Sequence, residues 1–473
     1  MTNIALYARS GQNKLYAGIG RLMEQRGIRT CYIVQNRREE KIVRSYGVRG
    51  SIYNLTEYIR QNWNNPDCLN RHTIAAIERT YSIDSIWSIF YTDRFLIKYD
   101  RDDAGKFIKL HVTFFEDLIE KEKCRFLINE GVAIFSSYMF MLMGDKLDCF
   151  YLGLSRGRNF TREKFFFLND PYSHNYTLDK IYQTNDFDQS DIRQAEEFIK
   201  TFRTGSVKPG YMKVHGRKPR LSPGFAVNLA KYLISLRDPV DKYDYERWRE
   251  RGHVYLYPIR NYFRYQFQRF VYKQPREGEA FYLFPLHFQP ESSTLVWAPN
   301  FEKQLFAVDQ IAKKLPGDVT LYVKEHYSHL GHREPGFYKK LRSYPSVRLI
   351  DPWIDSHDLI KKSLGVITLT GTAGWEAMLF GKPVFLLGRV FYDTFKYVNC
   401  IENINDLTTA LRQSQNGSGP PADYDKELTR YVAAYLKSFH DGNYSLADHD
   451  VTDDNNMTRL TDNILAEVDR LRV

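Results

Sequence analysis

The residues able to do chemistry fall into two sets. The larger lies in the second half of the chain: Gln289 and Glu291, Lys324 and His326, the small-residue turn Thr370, Gly371, Thr372, Ala373 and Gly374, and Glu376. Each member falls at or just after the C-terminal end of a short apolar run that reads as a strand. In an open parallel sheet those ends share one rim, and ligands bind there. A lysine, a histidine and a helix N-terminus on one rim suit a diphosphate or phosphomonoester, because all three oppose negative charge. Glu376, in the first helical turn, is placed to accept hydrogen bonds from sugar hydroxyls. The alternative for the turn is tight helix–sheet packing, with Glu376 as a helix-stabilising charge. The turn is neither G-x-G-x-x-G nor a P-loop.

The smaller set lies in the first half. Asp93 stands beside Arg94, Glu130 follows the apolar run 125–128, and Arg156 follows the run 149–154. Asp93, Glu130 and Arg156 thus come to one edge of one sheet, with Glu130 the first candidate for chemistry and Asp93 the second. Ordinary polar loop residues, and a surface ion pair of little energetic weight for Asp93 and Arg94, are the alternative.

Alternating strands and helices must position both sets. Residues 366–369 and 384–387 read as strands around a short helix at 375–380 that Gly381 and Pro383 end, a βαβ unit. Strands at 281–286, 319–323 and 347–350, with helices at 300–315, 337–343 and 356–363, extend the same pattern. The first half repeats it, with strands at 4–8, 30–34, 86–90, 125–128 and 149–154. Such alternation demands parallel sheets. The expected fold is α/β, with two Rossmann-like domains. The expected divisions are 1–205 (N-terminal), 206–278 (helical connector), 279–400 (C-terminal) and 401–473 (C-terminal helices).

Composition bounds the class. The 473 residues are 43% hydrophobic, enough for real cores. Five widely spaced cysteines lack metal or redox spacing and read as free thiols in a reducing compartment. The N-terminus has no signal-peptide pattern, and the longest near-apolar run, 132–143, is too short to span a bilayer. A soluble or peripheral protein is expected. Net charge is +10, and residues 206–276 carry 16 Lys/Arg against 5 Asp/Glu, which accounts for the whole excess. Within that stretch, residues 246–273 interleave arginine with Tyr, Trp and Phe. Three readings compete: an interdomain helical segment packing its aromatics inward, a contact with an anionic membrane surface, and nucleic-acid binding. No nucleic-acid module surrounds the stretch, so that partner ranks last and none is expected.

With these residues in hand, the second half resembles the capsule polysaccharide biosynthesis family of bacterial glycosyltransferases, which includes the β-Kdo transferases. The matching segments are FPLHFQPESST (284–294), LYVKEHYSHLGHREPGFYKKL (321–341) and TLTGTAGWEAMLFGKPVFLLGRVFYD (368–393); YTDR (91–94), INEG (128–131) and LGLSRGR (152–158) match more loosely. The family usually has His-Pro where this chain has His326-Tyr327.

The resemblance implies a GT-B architecture, two Rossmann-like domains facing across a cleft. The nucleotide-sugar donor would lie mainly on the C-terminal domain, with Lys324, His326 and the 370–374 turn at its phosphates, Glu376 at the ribose, and Gln289 and Glu291 near the donor sugar. Glu130, or else Asp93, would act as base or nucleophile, and Arg94 and Arg156 would lie on the acceptor side. The implied reaction is sugar transfer, with CMP-Kdo one candidate donor, to a surface polysaccharide or glycolipid at the inner face of the cytoplasmic membrane. No cofactor or metal is expected, since the nucleotide-sugar is a substrate. A nucleotide-sugar epimerase or hydrolase, and a non-catalytic sugar-nucleotide-binding subunit, are the competing classes.

Overall fold

The computed structural model describes residues 3–94, 96, 99–157, 163–205, 224–235, 243–244, 257–417, 419–444 and 451–472. The chain divides into two compact units. One comprises Met1–Tyr176, Val240–Trp248 and Phe439–Val473; the other comprises Thr177–Pro239 and Arg249–Ser438.

Strands of the first unit are β1 (Asn3–Tyr7), β2 (Arg29–Val34), β3 (Ser51–Asn54), β4 (Phe126–Glu130), β5 (Phe150–Arg156) and β6 (Lys164–Leu168), with a short last strand at His440–Asp441. From one edge they lie in the order β3, β2, β1, β4, β5, β6, then the last strand. The first five are parallel, and β6 and the last strand add antiparallel pairings. β1, β2 and β4 are buried along almost their whole length, as parallel strands covered on both faces must be. Against one face, Leu15, Ile19 and Met23 of helix Asn13–Gln25 pack with Met457, Leu460, Ile464 and Val468 of helix Asp454–Leu471. Gly18 permits that approach, since a Cβ there would lie 2.1 Å from the Met457 sulfur. Tyr7 meets Phe115 and Phe140 edge-on, tying helices Arg101–Glu122 and Phe135–Lys146 to the sheet.

The second unit has six strands: β7 (Phe281–Pro285), β8 (Thr320–Lys324), β9 (Val347–Ile350), β10 (Gly365–Thr368), β11 (Val384–Leu386) and β12 (Val398–Cys400). Their order is β12, β11, β10, β7, β8, β9, with every pairing parallel. Numbered from each unit's first strand, both sheets run 3-2-1-4-5-6, the doubly wound order in which the chain reverses direction across the sheet beside strand 1. The expected α/β fold with two Rossmann-like halves is therefore observed.

Three expectations need correction. Ile86–Phe90 is a helix rather than a strand; a five-residue apolar run carries too little periodicity to separate the two. Helix Gln189–Arg203 groups with the second unit, not with residues 1–205, because it packs against helix Tyr424–Lys437. Helix Asp454–Leu471 completes the first unit's core and is not an appended tail. Of the expected connector, helices Phe225–Ser235 and Tyr257–Gln268 are observed, both in the second unit, whereas 206–223, 236–242 and 245–256 lie outside the described residues.

Replacing Leu460 with Ala should cost the first unit about 2–5 kcal/mol. The loss should appear as weaker hydrogen-exchange protection of the β1 and β4 amides. Unchanged protection there would show that the C-terminal helix does not complete this core.

Candidate functional site

In the second unit the strand order reverses between β7 and β10, and the crevice beyond their C-terminal ends is where the fold places a ligand. Two loops meet there. The Thr370 amide donates to His287 Nε2 at 3.3 Å, and the Thr370 hydroxyl donates to the Ser293 carbonyl at 2.7 Å. The Gly371 amide donates to Thr368 Oγ1 at 3.0 Å. A Cβ on Gly371 would come within 2.9 Å of that oxygen and 3.2 Å of His287 Nε2. One on Gly374 would lie 2.4 Å from the Tyr392 hydroxyl, which itself donates to the Gly371 carbonyl at 2.6 Å. Close packing therefore explains both glycines. Helix Thr372–Leu379 begins here, and its first-turn amides, at Thr372 and Ala373, have no carbonyl one turn back.

Packing does not explain Glu376. It is 3% exposed, and its Oε1 has no hydrogen-bond partner. Its Oε2 lies 3.7 Å from His357 Nε2, too far for a hydrogen bond, and that nitrogen is also buried without a partner. Native interiors rarely leave such atoms unmatched, and a bound polar ligand is one way they are matched. His357 comes from the helix after β9 and Glu376 from the helix after β10. Lys324 is nearby: burial pulls its ammonium below the usual lysine range, while Asp355, Glu376, Asp351 and Glu325 push it back up. Its Nζ donates to the Pro352 carbonyl at 3.0 Å.

The rim is held by two residues that sequence patterns gave no reason to single out. Arg333, 4% exposed, donates to Glu325 through Nε at 2.8 Å and Nη2 at 2.9 Å. It also donates to the His287 carbonyl at 3.0 Å and to Gln289 Oε1 at 3.2 Å. Glu325, 1% exposed, accepts further from the Tyr338 hydroxyl and the His326 amide, each at 2.8 Å. One guanidinium thus joins the loops after β7 and β8. Only its place on a strand end hinted at Glu325, and Arg333 stood out only as part of the family-like segment 321–341.

The remaining expected donor residues are placed as follows. The Gln289 amide donates to the Glu302 carbonyl, so both ends of this side chain serve the loop. Glu291 caps the short helix Ser292–Leu295 and accepts from Ser293 at 3.0 Å. His326 begins the 3-10 turn Tyr327–His329, its ring stacked on Tyr327 with centroids 4.8 Å apart. Around Phe288 gather His326, His329 and His332. Burial first, then Arg333 and the neighbouring histidines, pull His329 down to about 2.

The first unit reverses its strand order between β1 and β4. There Arg9 Nη2 lies 2.6 Å from Glu130 Oε1. Arg9 is 7% exposed, and Glu130 keeps 22% of its side chain open. The sequence named Glu130 but not its partner, which comes from another strand end. Arg156 ends β5, beside β4, on the same edge. Asp93 is wholly buried and accepts from the Phe135 amide at 3.1 Å, at the N-terminus of the helix after β4. That carboxylate anchors a helix rather than opening onto the crevice. Arg94 follows it, half-buried. Among the described residues no cluster of His, Cys, Asp or Glu has the form of a metal site.

Residues 226–395 match the model of the family described as capsule polysaccharide biosynthesis protein. The matched segment contains every expected donor-side residue. The capsule polysaccharide modification protein LipB of Neisseria meningitidis, from a serogroup A and a serogroup B strain, is 27% identical over 232 residues, 44% of this chain and 52% of LipB. The chain thus spans about half the length of the curated relatives it matches. Among solved structures, the β-Kdo 2,7 transferase of Thermosulfurimonas dismutans KpsC aligns over 76% of this chain and 90% of its own, with 15% identity and a TM-score of 0.38. The β-Kdo 2,4 transferase of the same protein aligns over 68% and 83%, with 15% identity and a TM-score of 0.39.

Two outcomes follow. Arg333→Met strands a buried carboxylate and should cost about 3–5 kcal/mol in urea unfolding; adding Glu325→Leu should restore most of it, and no recovery would contradict the pairing. His329 is neutral when folded until about pH 2, whereas unfolded it gains a proton near 6.5. The unfolded chain then binds more protons between those values. Its contribution to stability is complete above pH 6.5 and falls, as pH drops, by up to about 1.4 kcal/mol per pH unit. His329→Phe should flatten the acid limb of stability measured between pH 7 and pH 5, and an unchanged slope would contradict this assignment.

Proposed function

We propose that the protein is a glycosyltransferase of capsule or surface-polysaccharide assembly, moving a sugar from a nucleotide-sugar donor to an oligosaccharide or glycolipid acceptor. The observation that carries this is the unmatched pair on the second unit's rim, Glu376 Oε1 and His357 Nε2, beside a helix N-terminus at the strand-order reversal. A ribose hydroxyl donates to Glu376. The diphosphate or monophosphate sits over the turn of Thr370, Gly371, Thr372, Ala373 and Gly374, with His326 at its side. Lys324, turned to the Pro352 carbonyl, adds positive charge behind the phosphate rather than a direct contact. Gln289 and Glu291 shape the loop near the donor sugar. CMP-Kdo is one donor of this class.

In the reaction the acceptor hydroxyl oxygen bonds to the anomeric carbon. The bond from that carbon to the phosphate oxygen breaks, and the nucleotide leaves with its electron pair. Helix amides meet the charge that develops on the leaving phosphate. Glu130 takes the hydroxyl proton, and Arg9 holds its carboxylate in place. Arg94 and Arg156 line the acceptor's side. All the groups used are the chain's own side chains and amides. The work is done in the cytoplasm, at the inner face of the membrane that carries a lipid-linked acceptor.

Turnover of a panel of nucleotide-sugars with oligosaccharide acceptors tests this. Glu130→Gln should lower kcat by about 100-fold or more, and Glu376→Ala should raise the donor KM by about tenfold, the loss of one hydrogen-bonded carboxylate contact. No turnover across a broad panel, or an unchanged donor KM for Glu376→Ala, would overturn the proposal.

A further inference from the structure

Helix Tyr257–Gln268 buries Tyr265 but holds two of its phenylalanines, Phe263 and Phe267, on the outside. The inner face is polar and buried. Asn261, 5% exposed, lies 2.6 Å from His332 through its amide nitrogen. Tyr265, 7% exposed, accepts from the Trp353 indole at 3.4 Å. Gly331 meets the helix closely enough that a Cβ would lie 2.1 Å from the Asn261 carbonyl. These contacts fix the helix against the loops after β8 and β9.

The outer face is phenylalanine. Phe263 is 52% exposed, Phe267 81% and Phe270 74%. The first two are one turn apart, and Phe270, in the following turn Arg269–Val271, continues their stripe. Three large rings held in water on one face need a covering partner, because isolated exposed apolar residues are ordinary but a contiguous stripe is not. The charge around them says which partner. Residues 257–276 contain five Lys/Arg and no Asp/Glu. Arg269, Lys273 and Arg276 are exposed, and the Arg269 guanidinium lies 4.8 Å from the Phe270 ring centroid. Up to the exposed Glu277, the charged residues beside these rings are all cations, and that matches the boundary between acyl chains and anionic headgroups, where rings enter and cations stay with phosphate.

We infer that this helix face docks on the surface of an anionic lipid bilayer, with Phe263, Phe267 and Phe270 as the inserted residues. The inference deepens the membrane-face reading above by naming the surface. It stands apart from the transfer reaction, because vesicle binding is read without substrate and its failure leaves the donor site untouched.

The test is co-sedimentation of the full chain with vesicles of phosphatidylcholine, alone or mixed with phosphatidylglycerol, whose anionic headgroups attract basic segments. The wild-type chain should bind the anionic vesicles and not the neutral ones, and should lose binding as salt rises. The triple variant Phe263→Ser, Phe267→Ser, Phe270→Ser should partition at least about tenfold more weakly. Arg269→Gln with Lys273→Gln should weaken binding and flatten its salt dependence. The donor KM should be unchanged in both variants, which also shows that they fold. Equal binding to both vesicle types, no binding at all, or full binding by the triple variant would overturn the inference. So would a concentration-dependent dimer that the triple variant abolishes, since the stripe would then be a self-association surface.

Discussion

The geometry of the second unit's rim depends on a charge taken out of water. Arg333 and Glu325 are both almost wholly buried, and each alone would be costly to bury. Together they are satisfied: two arginine nitrogens serve the carboxylate, and the remaining capacity goes to the His287 carbonyl, Gln289, Tyr338 and the His326 amide. Such a network is satisfied in few arrangements, so it specifies where the loops after β7 and β8 stand. His287, placed by that network, in turn accepts from Thr370 and fixes the turn that starts helix Thr372–Leu379. The chain of dependence runs from one buried ion pair to the helix N-terminus at the reversal point.

The two units use the same strand order for different chemistry. In the first, the reversal point brings a guanidinium and a half-open carboxylate into direct contact, Arg9 and Glu130. In the second, it leaves a buried carboxylate oxygen and an imidazole nitrogen unmatched. A paired carboxylate beside solvent can exchange a proton with a substrate that reaches it. A buried unmatched one has room for a hydrogen-bond donor.

Much of this was legible in the sequence, and what was missed has physical reasons. Strand–helix alternation in the second half is strong, because each strand is a bounded apolar run followed by a clear turn or helix start, as at 366–391. The strand-end rule singled out Lys324, His326, Glu376 and Glu130 as candidates without any contact information. It could not find what those residues touch. Arg9 and Glu130 are 121 positions apart, and Arg333 sits in a loop with no periodic signal. Lys324 read as a phosphate ligand because its type and position fit; its depth, set by the packing of β8 between β7 and β9, turns it to a carbonyl instead. Asp93 looked like half of a surface pair, yet the loop carries it under the start of helix Phe135–Lys146. The aromatic stretch was expected to pack inward as one of its readings. The helix at 257–268 does so only through its polar and tyrosine face.

The most direct measurement is hydrogen exchange of the full chain with and without saturating CMP, UDP or GDP, read peptide by peptide. A nucleotide that binds the folded chain slows opening around its site. Slower exchange in 287–293, 354–359 and 370–377, with at least one of the three nucleotides and lost in Glu376→Ala, is the expected result. Protection confined to the β1–β4 edge of the first unit, or absent with all three nucleotides, would contradict a donor site on the second unit.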